Sequence, residues 1–199
     1  MVHVFMTNTE NLPDPLENIR WLEGLPEERK DKIKRIRRAN ERQQSLGAGL
    51  LLEYAKKQCG DLDILNYNLS HSGSVVICAA SNRPVGCDVE KIKKAPLKVA
   101  DRFFCHSEID YLGGLEGDEQ NEEFYRIWTI KESYVKMHGK GLAMGLNSFE
   151  VIPEKEVKIQ RNGIIEDCYI KEYSVPGYSV TVCGLENEFV ETIGEVVFE

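Results

Sequence analysis

The chain has 199 residues, of which 42% are hydrophobic and 29% are charged, a composition typical of a globular protein with one large domain or two small ones that share a core. No run of 18 or more apolar residues is present, which argues against a membrane-spanning helix. The formal net charge of −8 argues against a general nucleic-acid-binding protein.

The first segment, residues 1–20, predicts a strand followed by a polar turn. It lacks the charged and then apolar layout of a signal peptide, so we expect a cytoplasmic protein. The six cysteines are spread along the chain without a CxxC pair, which argues against a zinc site and against a disulfide framework. We expect reduced thiols that pack as small hydrophobic residues.

Helical periodicity predicts one helix over residues 26–58, with Pro26 in its first turn. From Arg29 to Arg42 this helix carries eight basic residues and two acidic ones. A cationic stretch on an acidic chain indicates either a face that binds a specific anion or simply a solvated helix surface.

The middle of the chain alternates between strand and helix patterns. Residues 65–81 predict a strand, a turn and a second strand with Gly73 at the bend, and residues 83–92 predict a third strand. Residues 97–112 and 121–138 carry helical patterns, the second of which ends before a glycine. The remainder of the chain is rich in strand patterns.

A weak internal repeat is visible in the strand-rich parts. Residues 69–79 and 173–184 share a small or polar lead, a glycine turn and an alternating strand that contains a cysteine. The repeat predicts an α+β fold of two pseudo-duplicated α/β halves, with the functional site between them. We expect an N-terminal half over residues 1–85 and a C-terminal half over residues 86–199.

The segment GCDVE, residues 86–90, places two carboxylates on one face of a strand, because Asp88 and Glu90 are two residues apart. Such carboxylates repel each other unless a cation lies between them. Magnesium fits, since it takes one or two protein carboxylates and completes its octahedron with waters and phosphates. The alternative is a solvated acidic strand end.

A second pattern, WTIKESYVKMHGKGL, aligns Trp128, Glu132 and Lys136 on one stripe of a helix, with Lys131 beside it. The glutamate could complete a metal site while a lysine holds a phosphate. The alternative is a surface salt bridge beside a core tryptophan.

A third pattern, NLSHSG, places Ser70 and His71 just before a glycine turn, where a hydroxyl, an amide and an imidazole could bind an anion. A Ser-His nucleophilic dyad is less favoured. Neighbouring residues on a strand face opposite ways, and the chain has no G-x-S-x-G motif.

In this order and spacing the motifs resemble those of the 4′-phosphopantetheinyl transferase superfamily, specifically its monomeric, surfactin-synthetase-activating type. That family shows a basic helix, then N-x-S-H-S, G-x-D-x-E, F-F-x-x-x-E and W-x-x-K-E-[AS]-x-x-K. Here the last two read FFCHSE at 103–108 and WTIKESYVK at 128–136, followed by GKGL at 139–142. The resemblance covers roughly residues 25–185. It implies transfer of the phosphopantetheine arm of coenzyme A to a serine of an apo acyl or peptidyl carrier protein, with release of 3′,5′-ADP.

The resemblance also implies a role for each matching residue. The ligands of a magnesium ion would be Asp88, Glu90 and Glu132. The residues that contact coenzyme A would be Arg29, Lys32, Arg42, Ser70, His71 and Lys136. The catalytic residues would be Lys136, beside the pyrophosphate, and Glu132 or Glu108 as general base.

The chain departs from the family pattern in two places. Members often carry arginine where this chain has Gln44, and Arg42 is the candidate to replace that contact. Members also usually have a strand and a G-K-P turn before the N-x-S-H-S motif, for which there is little room between Gly60 and Asn68. Either this segment is deleted or a loop is absent from the sequence, and we expect the second, with a break between Cys59 and Asp63.

Two other functions stay open. A magnesium-dependent nucleotide phosphohydrolase would share the carboxylates and lysines but would need no carrier protein. A non-catalytic module that binds coenzyme A or a carrier would tolerate the loss of an acid. The duplicated halves favour a monomer, and no nucleic-acid or membrane partner is expected.

Overall fold

The computed structural model describes residues 1–60, 66–139, 141, 144–153 and 156–199. The α-helices are α1 (Glu27–Arg35), α2 (Ala39–Cys59), α3 (Leu97–Phe103), α4 (His106–Gly113) and α5 (Gly117–His138). The strands are β1 (His3–Asn8), β2 (Asn66–Ser72), β3 (Val75–Ser81), β4 (Val85–Lys91), β5 (Glu150–Ile152), β6 (Lys158–Arg161), β7 (Ile164–Ile165), β8 (Tyr169–Val175), β9 (Tyr178–Gly184) and β10 (Gly194–Glu195). In the described part of the chain, no helix combines the length and the apolar character that a bilayer crossing requires.

The strands form three sheets, with the orders β10-β1-β3-β2, β4-β9-β8 and β5-β6-β7. The first two sheets repeat one connection pattern. A first strand is followed by a long helix and then by a hairpin whose second strand lies at the centre, as β1, α2 and β2–β3 in one half and as β4, α5 and β8–β9 in the other. The predicted α+β fold with two pseudo-duplicated halves is confirmed.

The two larger sheets share one apolar core. Val4 and Ile77 of the first sheet and Val89 and Val182 of the second belong to the same buried cluster. Helix α2 covers the other face of β3, and α5 packs on β4 and β9. The two halves therefore bury part of their apolar side chains against each other. The boundary at residues 85 and 86 stays a prediction.

Two predicted helices are each divided in two. The helix predicted over residues 26–58 is broken between α1 and α2, where Ile36 and Arg38 have extended backbone angles. Arg42 stabilises this break, because its guanidinium donates to the carbonyls of Ile36 and Arg37. The helix predicted over residues 97–112 is broken between α3 and α4 at Phe104. Neither break carries a proline or a glycine, so the sequence alone does not reveal them.

Several local predictions are confirmed. The hairpin of β2 and β3 turns at Gly73, whose φ of +57° favours glycine, and α5 ends at Gly139 in the left-handed conformation. All six cysteines are free, and Cys78, Cys87 and Cys183 are buried. The chain break predicted between Cys59 and Asp63 extends into residues 61–65, which lie outside the described residues, so it stays a prediction.

After β9 the chain returns along β1 through residues 186–196, which we call the closing segment. The amide of Val2 donates to the carbonyl of Glu188 at 2.6 Å, and that of Val190 donates to the carbonyl of Val2 at 3.0 Å. The hydroxyl of Tyr173 on β8 donates to the Val190 carbonyl at 2.9 Å. The closing segment therefore lies in the groove between β1 and β8. In the repeat β1 corresponds to β4 and β8 to β2, so the equivalent groove is the one between β4 and β2.

Candidate active site

Helix α5 lies directly against β4, at Gly86. A Cβ atom at this position would lie 2.0 Å from the carbonyl oxygen of Ser133 and 2.4 Å from the amide nitrogen of Met137, both on the helix backbone. Only glycine permits this approach. On the same helix, the Thr129 hydroxyl lies 2.9 Å from the Thr181 hydroxyl of β9. The close contact places the polar stripe of α5 beside the carboxylates of β4.

On its other side β4 meets β2 through side chains. Ser70 donates to Oδ1 of Asp88 at 2.7 Å, and Ser72 donates to Oε2 of Glu90 at 2.6 Å. Asn68, the preceding residue on the same face of β2, accepts a hydrogen bond from the backbone of β4 at 3.1 Å. The alternation of side chains along β2 therefore places three polar groups against β4 at successive positions.

These elements surround a cavity of about 340 Å³. Its lining residues are Leu69, Ser70, His71, Asp88, Glu90, Trp128, Glu132 and Lys136. Six of the predicted site residues thus come together here, although they belong to one helix and to strands of two different sheets.

Lys136 lies against the most buried carboxylate of the cavity. Its ammonium group is 2.6 Å from Oδ1 of Asp88, and it donates to the Ser70 hydroxyl at 3.1 Å and to the Cys87 carbonyl at 3.2 Å. Burial acts to lower the pKa of Lys136, but the neighbouring carboxylate outweighs it and the pKa is raised. Lys136 is therefore a cation at neutral pH.

The carboxylates of the cavity suit a hard divalent cation. Oδ2 of Asp88 is buried without a hydrogen-bond partner, which is costly for an acceptor oxygen unless a cation reaches it. Burial raises the pKa of Glu132 and of Glu90, and the negative charge of Asp88 raises both further. In the described ranges no three acidic, histidine or cysteine side chains already have the spacing of a formed metal site. The donor set fits magnesium, and the side chains would close around it.

The cavity continues toward the basic helix α1. A neighbouring cavity of about 420 Å³ shares Leu69 and His71 with the first and is also lined by Arg29, Lys32 and Gln44. Partial burial lowers the pKa of His71, and the positive charges around it lower the pKa further. The His71 imidazole is therefore neutral at neutral pH, and Arg29 and Lys32 supply the positive charge of this end.

Arg42 does not join this cationic group. Its guanidinium donates from Nε to Oδ1 of Asp14 at 2.8 Å, forms a second ion-pair contact with the other carboxylate oxygen, and binds the carbonyls that end α1. The side chains of Arg42 and Asp14 are both 12% exposed. Arg42 thus has a structural role in this fold, which argues against its predicted contact with coenzyme A.

Glu108, the second candidate base, also lies elsewhere. Its Oε2 accepts the amide of Cys105 at 2.7 Å, and its Oε1 accepts the amide of Val151 at 2.7 Å and lies 2.8 Å from the Lys131 ammonium. Both oxygens are engaged, and Glu108 is 3% exposed. Lys131, which the sequence places beside the stripe of Glu132 and Lys136, is fully buried in the same contact. We therefore interpret this pair as a strut that caps α4 and binds the start of β5.

The sequence pattern of the 4′-phosphopantetheinyl transferase superfamily matches residues 84–183. Over 150 residues the chain is 42% identical to the 4′-phosphopantetheinyl transferase Sfp of Bacillus subtilis (strain 168). The matched region covers 74% of this chain and 67% of that relative. The chain belongs to the 4′-phosphopantetheinyl transferase superfamily.

A second relative, the 4′-phosphopantetheinyl transferase ffp of Bacillus subtilis, is 40% identical over 150 residues, with the same shares of 74% and 67%. A crystal structure of the Thermotoga maritima holo-[acyl-carrier-protein] synthase matches 53% of this chain and 64% of that one, with 20% identity and a TM-score of 0.44.

Within this phosphopantetheinyl transferase, two motif residues have contacts that the sequence reasoning missed. Asn68 and Ser72 belong to the N-x-S-H-S motif, yet only Ser70 and His71 were assigned roles. The signal was present, because residues two apart on a strand share a face. The F-F pair likewise has a packing role, since the ring of Phe103 meets that of Trp128 edge-on at 5.9 Å.

Proposed function

We propose that the protein transfers the 4′-phosphopantetheine arm of coenzyme A to a serine hydroxyl of an apo acyl or peptidyl carrier protein, with release of 3′,5′-ADP. The observation that carries this proposal is the pair of adjoining cavities. One is lined by three carboxylates and Lys136, and the other is lined by Arg29 and Lys32. A diphosphate ester with a further phosphate at one end needs both features, and family membership supports the same reaction.

We propose Asp88, Glu90 and Glu132 as the residues that would hold a magnesium ion. The support is the unpartnered Oδ2 of Asp88 and the mutual repulsion of the three acids. A bound ion would neutralise and orient the pyrophosphate.

The remaining chemistry belongs to the chain itself. Lys136, fixed by Asp88 and Ser70, would lie beside the pyrophosphate and stabilise the negative charge that develops on the departing 3′,5′-ADP. Glu132 would accept the proton of the carrier serine, directly or through one water, because it lines the cavity and its raised pKa suits a general base. Glu108 is not proposed, since Lys131 and two amides occupy its oxygens.

The cationic end would bind the 3′-phosphate of coenzyme A. Arg29 and Lys32 supply charge, and His71 joins the two cavities and would contact a phosphate from between them. Phosphate binding favours the protonated imidazole, so the binding of coenzyme A would raise the pKa of His71 and be accompanied by proton uptake at that side chain.

We also propose a cytoplasmic monomer. The two halves that form the site lie in one chain, and all six thiols are free, as in a reducing compartment.

The test is a mass-spectrometric transfer assay with coenzyme A, magnesium and a panel of apo carrier proteins. The proposal expects one phosphopantetheine arm to be added to a carrier serine, and this addition to be lost with Glu132→Gln. Hydrolysis of coenzyme A at the same rate without a carrier would favour the phosphohydrolase. Binding of coenzyme A or carrier without turnover of either would favour the non-catalytic module.

A further inference from the structure

Ser72 is the residue of the N-x-S-H-S motif that the proposed reaction does not use. It is half-buried at the end of β2 and does not belong to the residues that line the carboxylate cavity in the described part of the chain. Its neighbours are nevertheless informative. The hydroxyl oxygen lies between the side chain of Glu90 and the backbone of Lys91 on β4.

The two hydrogen bonds of Ser72 fix the direction of its single proton. The oxygen accepts the amide of Lys91 at 3.1 Å, which uses a lone pair. The hydroxyl proton is then donated to Oε2 of Glu90 at 2.6 Å. Because a hydroxyl has one proton and the amide is itself a donor, the Ser72 proton is directed to the carboxylate of Glu90.

The effect on Glu90 is to hold one oxygen and leave the other available. Oε2 of Glu90 accepts the hydrogen bond of Ser72, and Oε1 has no hydrogen bond within the described residues. A glutamate side chain has several rotatable bonds and loses conformational freedom when it is fixed. The Ser72 hydrogen bond supplies part of that ordering before any ligand arrives.

We infer that Ser72 is a positioning residue, which orients Glu90 so that its free oxygen can bind a divalent cation. The inference rests on the proposed function, in which Glu90 is a metal ligand. Partners that hydrogen-bond to metal ligands typically contribute about 10- to 100-fold to metal affinity. Ser70 stands in the same relation to Asp88, but it also contacts Lys136 and lines the cavity, so only Ser72 separates positioning from direct contact.

The experiment is a Mn²⁺ titration of the full chain with saturating coenzyme A and no carrier, in which free Mn²⁺ is followed by electron paramagnetic resonance. Ser72→Ala is expected to bind Mn²⁺ about tenfold more weakly than the unmodified protein. Ser72→Thr, which keeps the hydroxyl, is expected to restore most of the affinity. Ser74→Ala is the matched control. Ser74 lies in the same hairpin, and among the described residues its hydroxyl contacts Tyr178 and no carboxylate.

Transfer kinetics give the second readout. Ser72→Ala should raise the magnesium concentration needed for half-maximal turnover, while kcat at saturating magnesium stays within a few-fold. Coenzyme A affinity in EDTA and the thermal midpoint should stay close to those of the unmodified protein. Unchanged Mn²⁺ affinity in Ser72→Ala, beside an unmodified protein that binds Mn²⁺ and transfers the arm, would overturn the inference and leave the proposed function standing. An unmodified protein that does neither would instead overturn the proposed function.

Discussion

The substitution Glu108→Gln would remove the negative charge that neutralises the fully buried ammonium of Lys131. The carboxylate of Glu108 now accepts hydrogen bonds from the backbone amides of Cys105 and Val151. Glutamine would turn its own NH₂ group, a donor, toward one of these two donors. Removing one partner of a buried ion pair costs about 3–5 kcal/mol, because the other charge is left without compensation. At about 2–4 °C per kcal/mol for a chain of this size, the thermal midpoint should fall by roughly 6–20 °C.

The destabilisation caused by Glu108→Gln depends on pH, because it cannot exceed the free energy of removing the proton from Lys131. Burial lowers the pKa of Lys131 below its ordinary 10.5, and Glu108 opposes that effect, so its removal lets the pKa fall further. Between this lower pKa and 10.5 the unfolded chain binds more protons than the folded one, and the stability of Glu108→Gln should therefore rise with pH. Lys131→Met added to Glu108→Gln should abolish this rise and recover part of the lost stability.

Thermal and guanidinium unfolding measure these changes, and the transfer assay, run well below the thermal midpoint, measures function. If Glu108 has only a structural role, the transfer rate of Glu108→Gln should stay within a few-fold of the unmodified rate. The reasoning is refuted if that variant unfolds at the unmodified temperature but loses about three orders of magnitude in transfer, because Glu108 would then be the general base.

The other predictions concern the cavity and its frame. Asp88→Asn should stay folded and lose about three orders of magnitude in kcat, equivalent to about 4 kcal/mol of transition-state stabilisation, and near-normal turnover in the transfer assay would contradict the metal assignment. Gly86→Ala should destabilise the protein by at least about 2 kcal/mol in guanidinium unfolding, since its Cβ would overlap backbone atoms of α5 that cannot move separately; an unchanged midpoint would count against this packing. Lys32→Ala should raise KM for coenzyme A about tenfold with little change in kcat, whereas Arg42→Ala should lower the thermal midpoint and leave KM unchanged; the opposite pattern would return Arg42 to the phosphate site.

Short-range spacing was sufficient to predict which side chains share a face beside the cavity. Asp88 and Glu90 share a strand face, Glu132 and Lys136 share a helix face, and both pairs follow from the periodicity of their elements. That the two faces meet follows from the order of the motifs and their resemblance to the family, and Gly86 is the residue that allows the contact.

The errors concern charged residues whose partners are distant in the sequence. Glu108 occupies a motif position, but the amide it binds on Val151 lies 43 residues away, and Arg42 binds Asp14 across 28 residues. Nothing in the local pattern of either residue distinguishes a structural ion pair from a ligand contact. Long-range pairing of this kind depends on the packed fold, which periodicity does not encode.

A duplicated architecture ordinarily presents the same groove twice, and a ligand would then have two entrances on one molecule. In this chain residues 186–196, the closing segment, run beside β1 and occupy one of the two grooves, where backbone hydrogen bonds and apolar packing hold them. The two copies of the groove therefore differ in role: one stays open and contains the candidate active site, and the other is filled and contributes to the packing of the fold.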